Sequence, residues 1–283
     1  MKRARRIAGR LVRRIRRTAR NLAAKARLVQ TYGGFRRAPL SAIRYVLFDR
    51  ELTNFTYDIA NLSELAAALG SALDVPPASI ASFVDELASD SQVSAELASR
   101  LASRRDRNRH MPFGRRLGWY AIVRTRKPRL VVETGIHDGL GSTAILQALH
   151  RNALEGIDGR LVSMDVNAES GWLIPDRLRG RLEVRIGRSL DVIPEVLKTS
   201  TVDVFIHDSD HRYQYELDEY QAIRELAAPA IVYMSDNAHA TRALRDFAAE
   251  EGLAFSFWKE APVGHFVDGA GIGLALRQPP GAA

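Results

Sequence analysis

The amino-acid sequence predicts an α/β fold organised around a doubly wound, seven-stranded sheet. The first observation is that short apolar runs alternate with helical patterns between residues 130 and 250, as in successive βαβ units. The second is that the first apolar run leads directly into a glycine-rich turn and then a helix. The third is that the last two runs have no helix between them. Together they predict five parallel strands and a final antiparallel hairpin.

Each element follows from its own apolar pattern. A helix over residues 115–126 should end before Pro128, because the residue preceding a proline disfavours the helical conformation. The predicted parallel strands span residues 130–135, 160–165, 182–187, 202–208 and 230–235. The predicted helices after them span residues 142–152, 174–179, 189–198, 213–227 and 240–250. The hairpin strands are predicted at residues 253–258 and 270–277.

The first 110 residues are predicted to lie outside this sheet. Residues 60–103 show helical patterns that are interrupted at Pro76 and Pro77. Between residues 31 and 52, aromatic residues mixed with arginine and glycine indicate an ordered connector. We therefore divide the chain into a basic amphipathic helix (1–29), a helical N-terminal subdomain (30–110) that is either a lid or additional core, and an α/β domain (111–283).

The composition excludes several classes of protein. Hydrophobic residues make up 46% of the 283 residues, and no apolar run approaches the ~18 residues of a membrane-spanning helix. The sequence contains no cysteine, which excludes disulfides, thiolate metal sites and cysteine nucleophiles. We therefore expect a cytoplasmic protein, either free or attached peripherally to the inner face of the membrane.

The positive charge is concentrated at the N-terminus. The formal net charge is +8, but residues 1–29 contain twelve Lys and Arg and no acid, so residues 30–283 carry 29 bases and 33 acids, or −4. Apolar residues recur in this basic segment at spacings of three, four and seven, which predicts an amphipathic helix. Such a helix can bind an anionic membrane, dock on a partner or stay solvated, or bind nucleic acid. The mildly acidic remainder argues against nucleic acid.

The glycine-rich turn after the first strand predicts a cofactor site. Gly135 and Gly139 let a ligand approach the backbone, and a helix beginning near Ser142 points its first N–H groups outward. Glu133 ends the strand two residues before the first glycine. Its carboxylate would repel a pyrophosphate, but it suits the sulfonium or amine of S-adenosyl-L-methionine. A purely structural turn is the alternative.

Two further strand ends lie on the same predicted edge of the sheet. Asp165 ends the second strand, where a carboxylate in an α/β nucleotide site accepts hydrogen bonds from two ribose hydroxyls. Ser189 follows the third strand, where it can cap the next helix or reach the adenine edge. We assign both to cofactor binding, with ordinary cap or turn roles as the alternative.

The fourth and fifth strands end in oxygen-bearing side chains. Asp208 follows the fourth strand, and Asp236 and Asn237 follow the fifth. Neighbouring strands lie ~4.8 Å apart and parallel ones end at the same edge, so these side chains should meet in the ligand crevice. Two carboxylates and an amide oxygen suit Mg²⁺ or Mn²⁺. Each is alone an ordinary turn residue, but the combination, with His211 nearby, predicts a metal site.

These motifs carry a resemblance to a known family. The segments VVETGIHDGLGS, VSMD, GRSLDVIPEVL and FIHDSDHRY followed by MSDN resemble the metal-dependent class I methyltransferases, in particular the macrolide-sugar O-methyltransferases and cephalosporin-hydroxylase-like proteins. The interval of 28 residues between Asp208 and Asp236 also separates the first two metal ligands of the similar catechol O-methyltransferase. The resemblance covers residues 112–277. It implies a Rossmann-like fold, Asp208, Asp236 and Asn237 as metal ligands, and His211 as the general base.

The sequence therefore predicts methyl transfer from S-adenosyl-L-methionine to a hydroxyl group of a sugar, glycoside or glycolipid. A bound Mg²⁺ or Mn²⁺ would lower the pKa of that hydroxyl, and His211 would remove its proton. A small phenolic or catechol acceptor is the alternative within the same class. A nucleic-acid-binding protein or RNA methyltransferase that uses residues 1–29 is the alternative from another class. We also expect a homo-oligomer and a contact from His239 near the metal or acceptor.

Overall fold

The protein is built around a seven-stranded sheet in a computed structural model that describes residues 18–50, 55–198 and 200–277. The strands are β1 (Leu130–Thr134), β2 (Arg160–Asp165), β3 (Leu182–Ile186), β4 (Val202–His207), β5 (Ala227–Ser235), β6 (Ala254–Lys259) and β7 (Gly271–Leu276). Their order is β3-β2-β1-β4-β5-β7-β6. Strands β1 to β5 are parallel, and β7 is antiparallel to both β5 and β6. The predicted doubly wound sheet with its hairpin is confirmed.

The centre of the sheet is buried on both faces. Every residue of β1 and β7 is buried, whereas β3 and β6, at the two edges, are largely exposed or half-buried. This difference arises because helices cover both faces of a parallel sheet and leave its edges open. The strand order reverses between β1 and β4, and the crevice beyond the carboxyl ends of such strands is where α/β proteins bind ligands.

Helices account for most of the remaining chain. They are α1 (residues 18–31), α2 (Gly34–Arg37), α3 (Pro39–Phe48), α4 (Leu62–Leu73), α5 (Pro77–Ala88), α6 (Ser91–Ala102), α7 (Arg116–Arg126), α8 (Leu140–Leu154), α9 (Ser189–Val196), α10 (Tyr213–Arg224) and α11 (Ala243–Glu250), with a 3₁₀ helix at Asp176–Arg181. The predicted boundaries agree to within about three residues. Helix α8 begins at Leu140, so Ser142 lies inside its first turn and is not its first residue.

The helices before the sheet share its hydrophobic core. Leu65 and Leu69 of α4 and Ile80 of α5 belong to the same buried cluster as Trp119 of α7 and Val131 of β1. Of the two alternatives for residues 30–110, helices α4 to α6 therefore provide additional core. The predicted division at residue 110 does not separate two cores.

Helices α1 to α3 form a smaller packing unit. Val29, Ala42 and Tyr45 are buried together with Phe266, and the rings of Tyr45 and Phe266 lie 4.6 Å apart. The predicted connector at residues 31–52 is thus largely helical. The predicted helix at residues 1–29 is present from residue 18 onward, and residues 1–17 lie outside the described part. Among the described residues, no helix combines the length and apolar character that crossing a membrane requires.

Candidate active site

The tips of β4 and β5 bring four of the predicted side chains together. The two strands are parallel neighbours, so the residues that follow them leave the sheet side by side. The carboxyl groups of Asp208 and Asp236 are close neighbours, and each shifts the pKa of the other. Asn237 donates from Nδ2 to Nε2 of His211 over 3.0 Å, and this Nε2 lies 3.8 Å from Oδ1 of Asp208. The structure therefore places the three predicted metal ligands and the predicted base in one cluster.

Arg115, immediately before α7, pairs with one of these carboxylates. Its guanidinium donates two hydrogen bonds to Asp236, of which the bond from Nε to Oδ1 measures 2.7 Å. A third hydrogen bond, of 3.2 Å, reaches Oε1 of Glu260, which also accepts from the hydroxyl of Tyr57. All four side chains are buried. Because an unpaired buried charge costs several kcal/mol, Arg115 and the two carboxylates depend on one another.

Burial shifts the pKa values of the cluster. Burial and the neighbouring carboxylate of Asp236 raise the pKa of Asp208 well above its ordinary value. Burial alone would also raise the pKa of Asp236, but the guanidinium of Arg115 outweighs it and holds that pKa low. Burial, with the nearby ring of His207, lowers the pKa of His211, so this imidazole is neutral at neutral pH. Two carboxyl groups in contact require a proton or a cation between them.

The cluster lies between two cavities. The first, of about 690 Å³, extends from the glycine turn to the aromatic side chains of Tyr32 and Phe55. The second, of about 800 Å³, lies over the ends of β1 to β4 and is bordered by Asp165. Asp208 and His211 line both cavities. Each volume is in the range of ligand sites, so two ligands bound in the two cavities would meet at these two residues.

The glycine turn is held against the backbone that follows β4. Gly135 has a φ of +88°, and a Cβ atom there would lie 2.0 Å from the carbonyl oxygen of Asp208. Gly139 has a φ of +93°, and its Cβ would lie 2.7 Å from the side chain of Ile174. Packing within the protein therefore suffices to explain both glycines. Gly135 borders the second cavity and Gly139 the first, and their contact with a cofactor stays a prediction.

Glu133 is buried at the end of β1 and faces the first cavity. Its Oε2 accepts hydrogen bonds from Ser142 Oγ at 2.6 Å and from Ser163 Oγ at 2.7 Å. Burial raises the pKa of Glu133 to about 7. Ser142 lines neither of the two cavities. Ser142 therefore ties α8 to β1 through Glu133, and its predicted contact with a cofactor stays a prediction.

Asp165 borders the second cavity, as predicted, but its carboxylate already has partners. Oδ2 accepts the backbone N–H groups of Ile136 and His137 at 2.9 Å each, and Oδ1 accepts that of Asn167 at 2.8 Å. These contacts fix the shape of the glycine turn, because buried backbone N–H groups must be paired. A ribose hydroxyl would have to use the remaining lone pairs of the carboxylate.

Ser189 also borders the second cavity, but it does not cap a helix. It is the first residue of α9, whose N-cap position is Arg188 without a side-chain cap. Its hydroxyl is hydrogen-bonded to the carboxylate of Glu219 and lies 2.9 Å from the hydroxyl of Tyr215. The predicted capping role is therefore wrong, since the hydroxyl turns toward α10.

The donor chemistry of the cluster suits a divalent cation. Asp208 and Asp236 supply carboxylate oxygens and Asn237 an amide oxygen, which are hard ligands. Oδ1 of Asp236 retains a lone pair beyond its hydrogen bond from Arg115, whereas Oδ2 accepts from Arg115 and, at 3.4 Å, from Asn237. The contact between the two carboxyl groups is relieved when a cation replaces their proton. In the part of the chain that the structure describes, no group of three or more His, Cys, Asp or Glu side chains is arranged to hold a metal.

The segment that carries this cluster is similar to a known protein family. Residues 132–238 match the family model described as a methyltransferase domain. The matched span begins in β1 and includes the glycine turn together with Asp208, His211, Asp236 and Asn237. No curated protein matches the chain significantly.

Solved structures share the architecture of the α/β domain. A candidate O-methyltransferase from Klebsiella pneumoniae has a TM-score of 0.52 and 15% identity, and the match covers 69% of this chain and 94% of that one. The O-methyltransferase TomG from Streptomyces achromogenes, solved with SAM, has a TM-score of 0.46 and 18% identity over 85% and 96% of the two chains. An O-methyltransferase from Bacillus cereus, solved with SAH, has a TM-score of 0.47 and 14% identity over 88% and 100%. The first establishes a shared fold.

A buried glutamate on α10 connects the ends of several strands. Glu219 of α10 is fully buried. It accepts hydrogen bonds from Thr134 at 2.8 Å, His207 Nδ1 at 2.6 Å and Ser209 at 2.8 Å, in addition to Ser189. These partners follow or end β1, β3 and β4. One carboxylate therefore connects three strand ends beneath the cavities.

Sequence reasoning missed this glutamate and its neighbour Glu216. Glu216 accepts hydrogen bonds from Ser235, Thr241 and Tyr220. A signal for both was present, because the buried positions of α10 are 216, 219, 220 and 223. This is the spacing of a helix face that packs on a core, and acidic residues at two of those positions predict buried acceptors.

Proposed function

We propose that this chain transfers the methyl group of S-adenosyl-L-methionine to a hydroxyl group of a sugar, glycoside or glycolipid. In this proposal Asp208, Asp236 and Asn237 bind Mg²⁺ or Mn²⁺, and His211 is the general base. The observation that carries the proposal is the contact between the two carboxyl groups beside the imidazole of His211, where the two cavities meet. The match to a methyltransferase domain over residues 132–238 supports the reaction class.

The second cavity is the better site for the nucleoside of the methyl donor. It lies over the ends of β2 and β3, and Val166 contributes an apolar side chain that is 73% exposed. An exposed valine beside a carboxylate suits a purine ring attached to a ribose. Glu133, at the turn and near the first cavity, suits the positively charged end of the donor. The methyl group would then lie close to Asp208 and His211.

The acceptor would occupy the first cavity. Its wall combines the aromatic rings of Tyr32, Phe55 and Tyr57 with polar side chains that include Lys259 and His239. A sugar has an apolar face that packs on aromatic rings and hydroxyl groups that hydrogen-bond to polar side chains. This mixture favours a sugar over a flat phenolic ring, which would leave the polar groups unpaired.

In this proposal each residue of the cluster has a separate role in the reaction. Arg115 holds the carboxylate of Asp236 in place, and Asn237 orients His211 through its 3.0 Å hydrogen bond. His211 Nε2 has a single lone pair, so its hydrogen bond from Asn237 breaks when Nε2 accepts the hydroxyl proton. In the same step the acceptor oxygen forms a bond to the methyl carbon and the carbon–sulfur bond breaks, leaving a neutral thioether. A bound divalent cation supplies Lewis acidity, which lowers the pKa of the acceptor hydroxyl and fixes its position.

Methyl transfer by purified full-length protein tests the proposal. Formation of S-adenosylhomocysteine would be measured with sugars, alkyl glycosides and catechols as acceptors, with Mg²⁺ or Mn²⁺ and after EDTA treatment. We expect turnover with a sugar or glycoside, loss of turnover with EDTA and recovery on adding the metal. His211→Ala should lower kcat by roughly 100-fold or more.

Matched variants distinguish loss of the metal site from a general loss of structure. Asp236→Ala should abolish turnover while donor affinity stays within a few-fold. The control is Asp85→Asn, which changes an exposed carboxylate on α5 and should leave turnover unchanged. Full activity after EDTA would contradict the metal mechanism. Turnover of catechols alone would replace the sugar acceptor, and salt-sensitive RNA binding that is lost without residues 1–29 would favour the nucleic-acid alternative.

A further inference from the structure

The exposed apolar surface is concentrated in one short segment. Of the thirteen large hydrophobic side chains exposed in the described part of the chain, six lie between residues 32 and 48, namely Tyr32, Phe35, Leu40, Ile43, Leu47 and Phe48. Single exposed apolar residues are common on soluble proteins, but a cluster of this kind marks an interaction surface. The question is therefore which partner covers it.

Helix α3 is apolar on both of its faces. Ala42 and Tyr45 face inward and pack with Phe266. Leu40 and Leu47 lie two turns apart on the opposite face, where they are 83% and 56% exposed. Arg44, four residues after Leu40 and three before Leu47, shares this outer face and is exposed. The apolar side chains of α3 still need an apolar environment on both sides of the helix. The described part of the chain supplies an apolar environment only on the inner side of α3.

The charge of this segment indicates the partner. Residues 18–50 contain seven Lys and Arg and one acid, whereas residues 51–283 contain 25 Lys and Arg and 32 acids. Arg36 and Arg44, both exposed, border the apolar side chains. An apolar helix face bordered by arginine matches an anionic bilayer, where apolar groups enter the acyl region and arginines meet lipid phosphates. Pairing with a second copy would bring two basic segments together, which like-charge repulsion disfavours.

We infer that residues 32–48 dock the protein on an anionic membrane, with the outer face of α3 inserted into the lipid. The docking surface continues into the candidate active site. Tyr32 lines the first cavity beside Phe55, and their rings lie 5.9 Å apart. Docking therefore brings the mouth of that cavity to the bilayer, where a glycan on a lipid anchor would reach it. The acceptor class rests on the proposed function, but the docking itself does not.

Vesicle flotation of the full chain tests the docking without methyl donor or acceptor. We expect binding to vesicles of phosphatidylglycerol and phosphatidylcholine, weaker binding at high salt, and little binding to pure phosphatidylcholine. The double variant L40S/L47S should lower the partition coefficient roughly tenfold or more, because each leucine loses its transfer into lipid. The matched control L154S changes a leucine that is 69% exposed on α8 and should bind like the unmodified chain.

A second measurement reports insertion directly. Tryptophan placed by F48W should be quenched by brominated lipid in anionic vesicles, whereas tryptophan placed by L154W should not. Binding of L40S/L47S within twofold of the unmodified chain, or equal quenching of the two reporters, would overturn the inference and leave residues 1–29 as the anchor. A dimer in solution that L40S/L47S dissociates, without vesicle binding, would overturn it in favour of self-association. A failure of methyl transfer would affect none of these results.

Discussion

Replacing Glu133 by glutamine tests whether one buried carboxyl group controls how the stability of the protein depends on pH. Glu133 is 1% exposed, and burial raises its pKa from the ordinary 4.5 to about 7. Both of its hydrogen bonds, from Ser142 and Ser163, end on the same carboxylate oxygen. The carbonyl oxygen of glutamine can accept both, so the substitution removes the ionisable group and keeps the contacts.

The expected free energy follows from the pKa difference. Between pH 4.5 and 7 the folded chain keeps a proton on Glu133 that the unfolded chain has lost. The contribution of this proton to the unfolding free energy is therefore fully present below pH 4.5. It decreases as the pH rises from 4.5 to 7, and it is lost above pH 7. The difference in pKa, about 2.5, corresponds to roughly 3 kcal/mol of unfolding free energy. Glu133→Gln has no group that loses this proton. Its unfolding free energy should therefore exceed that of the unmodified chain by an amount that grows with pH.

Urea unfolding followed by circular dichroism at pH 5, 6, 7 and 8 measures this effect. We expect Glu133→Gln to be more stable than the unmodified chain by roughly 3 kcal/mol at pH 8, and by much less at pH 5. Glu195→Gln, on the exposed side of α9, is the matched control and should show no pH-dependent difference. A difference between Glu133→Gln and the unmodified chain that stays within about 0.5 kcal/mol over this range would refute burial as the cause.

Two further substitutions test how the strand tips are held. Glu219→Ala removes the acceptor of three buried donors and of the half-buried hydroxyl of Ser209. It should cost roughly 3 kcal/mol or more in urea unfolding, while Asp218→Ala on the same helix should cost less than about 0.5 kcal/mol. Equal costs would contradict the role of Glu219. Gly135→Ala places a Cβ 2.0 Å from the carbonyl oxygen of Asp208 at a φ of +88°, and should lower the melting temperature and turnover. The control Gly180→Ala, whose Cβ would meet no atom within 4 Å, should change neither the melting temperature nor turnover. A Gly135→Ala protein with an unchanged melting temperature and unchanged turnover would show that the turn can move away from β4.

The sheet and the cluster at its edge were predictable because they depend on rules that act along the chain. Alternating apolar runs and helical patterns define parallel strands, and parallel strands end at the same edge. Asp208, Asp236 and Asn237 were therefore expected to meet, although 28 residues separate the two aspartates. Their juxtaposition needs only the strand order, which the predicted topology supplies. The prediction does not depend on how the side chains pack.

The partners of these residues were not predictable in the same way. Arg115 precedes Asp236 by 121 residues and pairs with it through the packing of α7 against the sheet. No local pattern distinguishes this arginine from its neighbour Arg116. The partner of a hydroxyl group was also not predictable from the sequence, since Ser142 is hydrogen-bonded to Glu133 and Ser189 to Glu219. Side-chain direction depends on contacts among elements that are distant in sequence.

The sequence alone determined the order of strands and helices, the glycine turn, the oxygen-bearing strand ends and the basic N-terminus. Those features follow from periodicity, from residue type and from charge, which are properties of a chain segment and its immediate neighbours. Only the tertiary structure decided which buried polar groups pair with one another: Arg115 with Asp236, Glu219 with three strand ends, and Glu133 with two serines. The physical reason is that the energy of a buried polar group depends on what packs against it, and folding brings together residues that no short pattern relates.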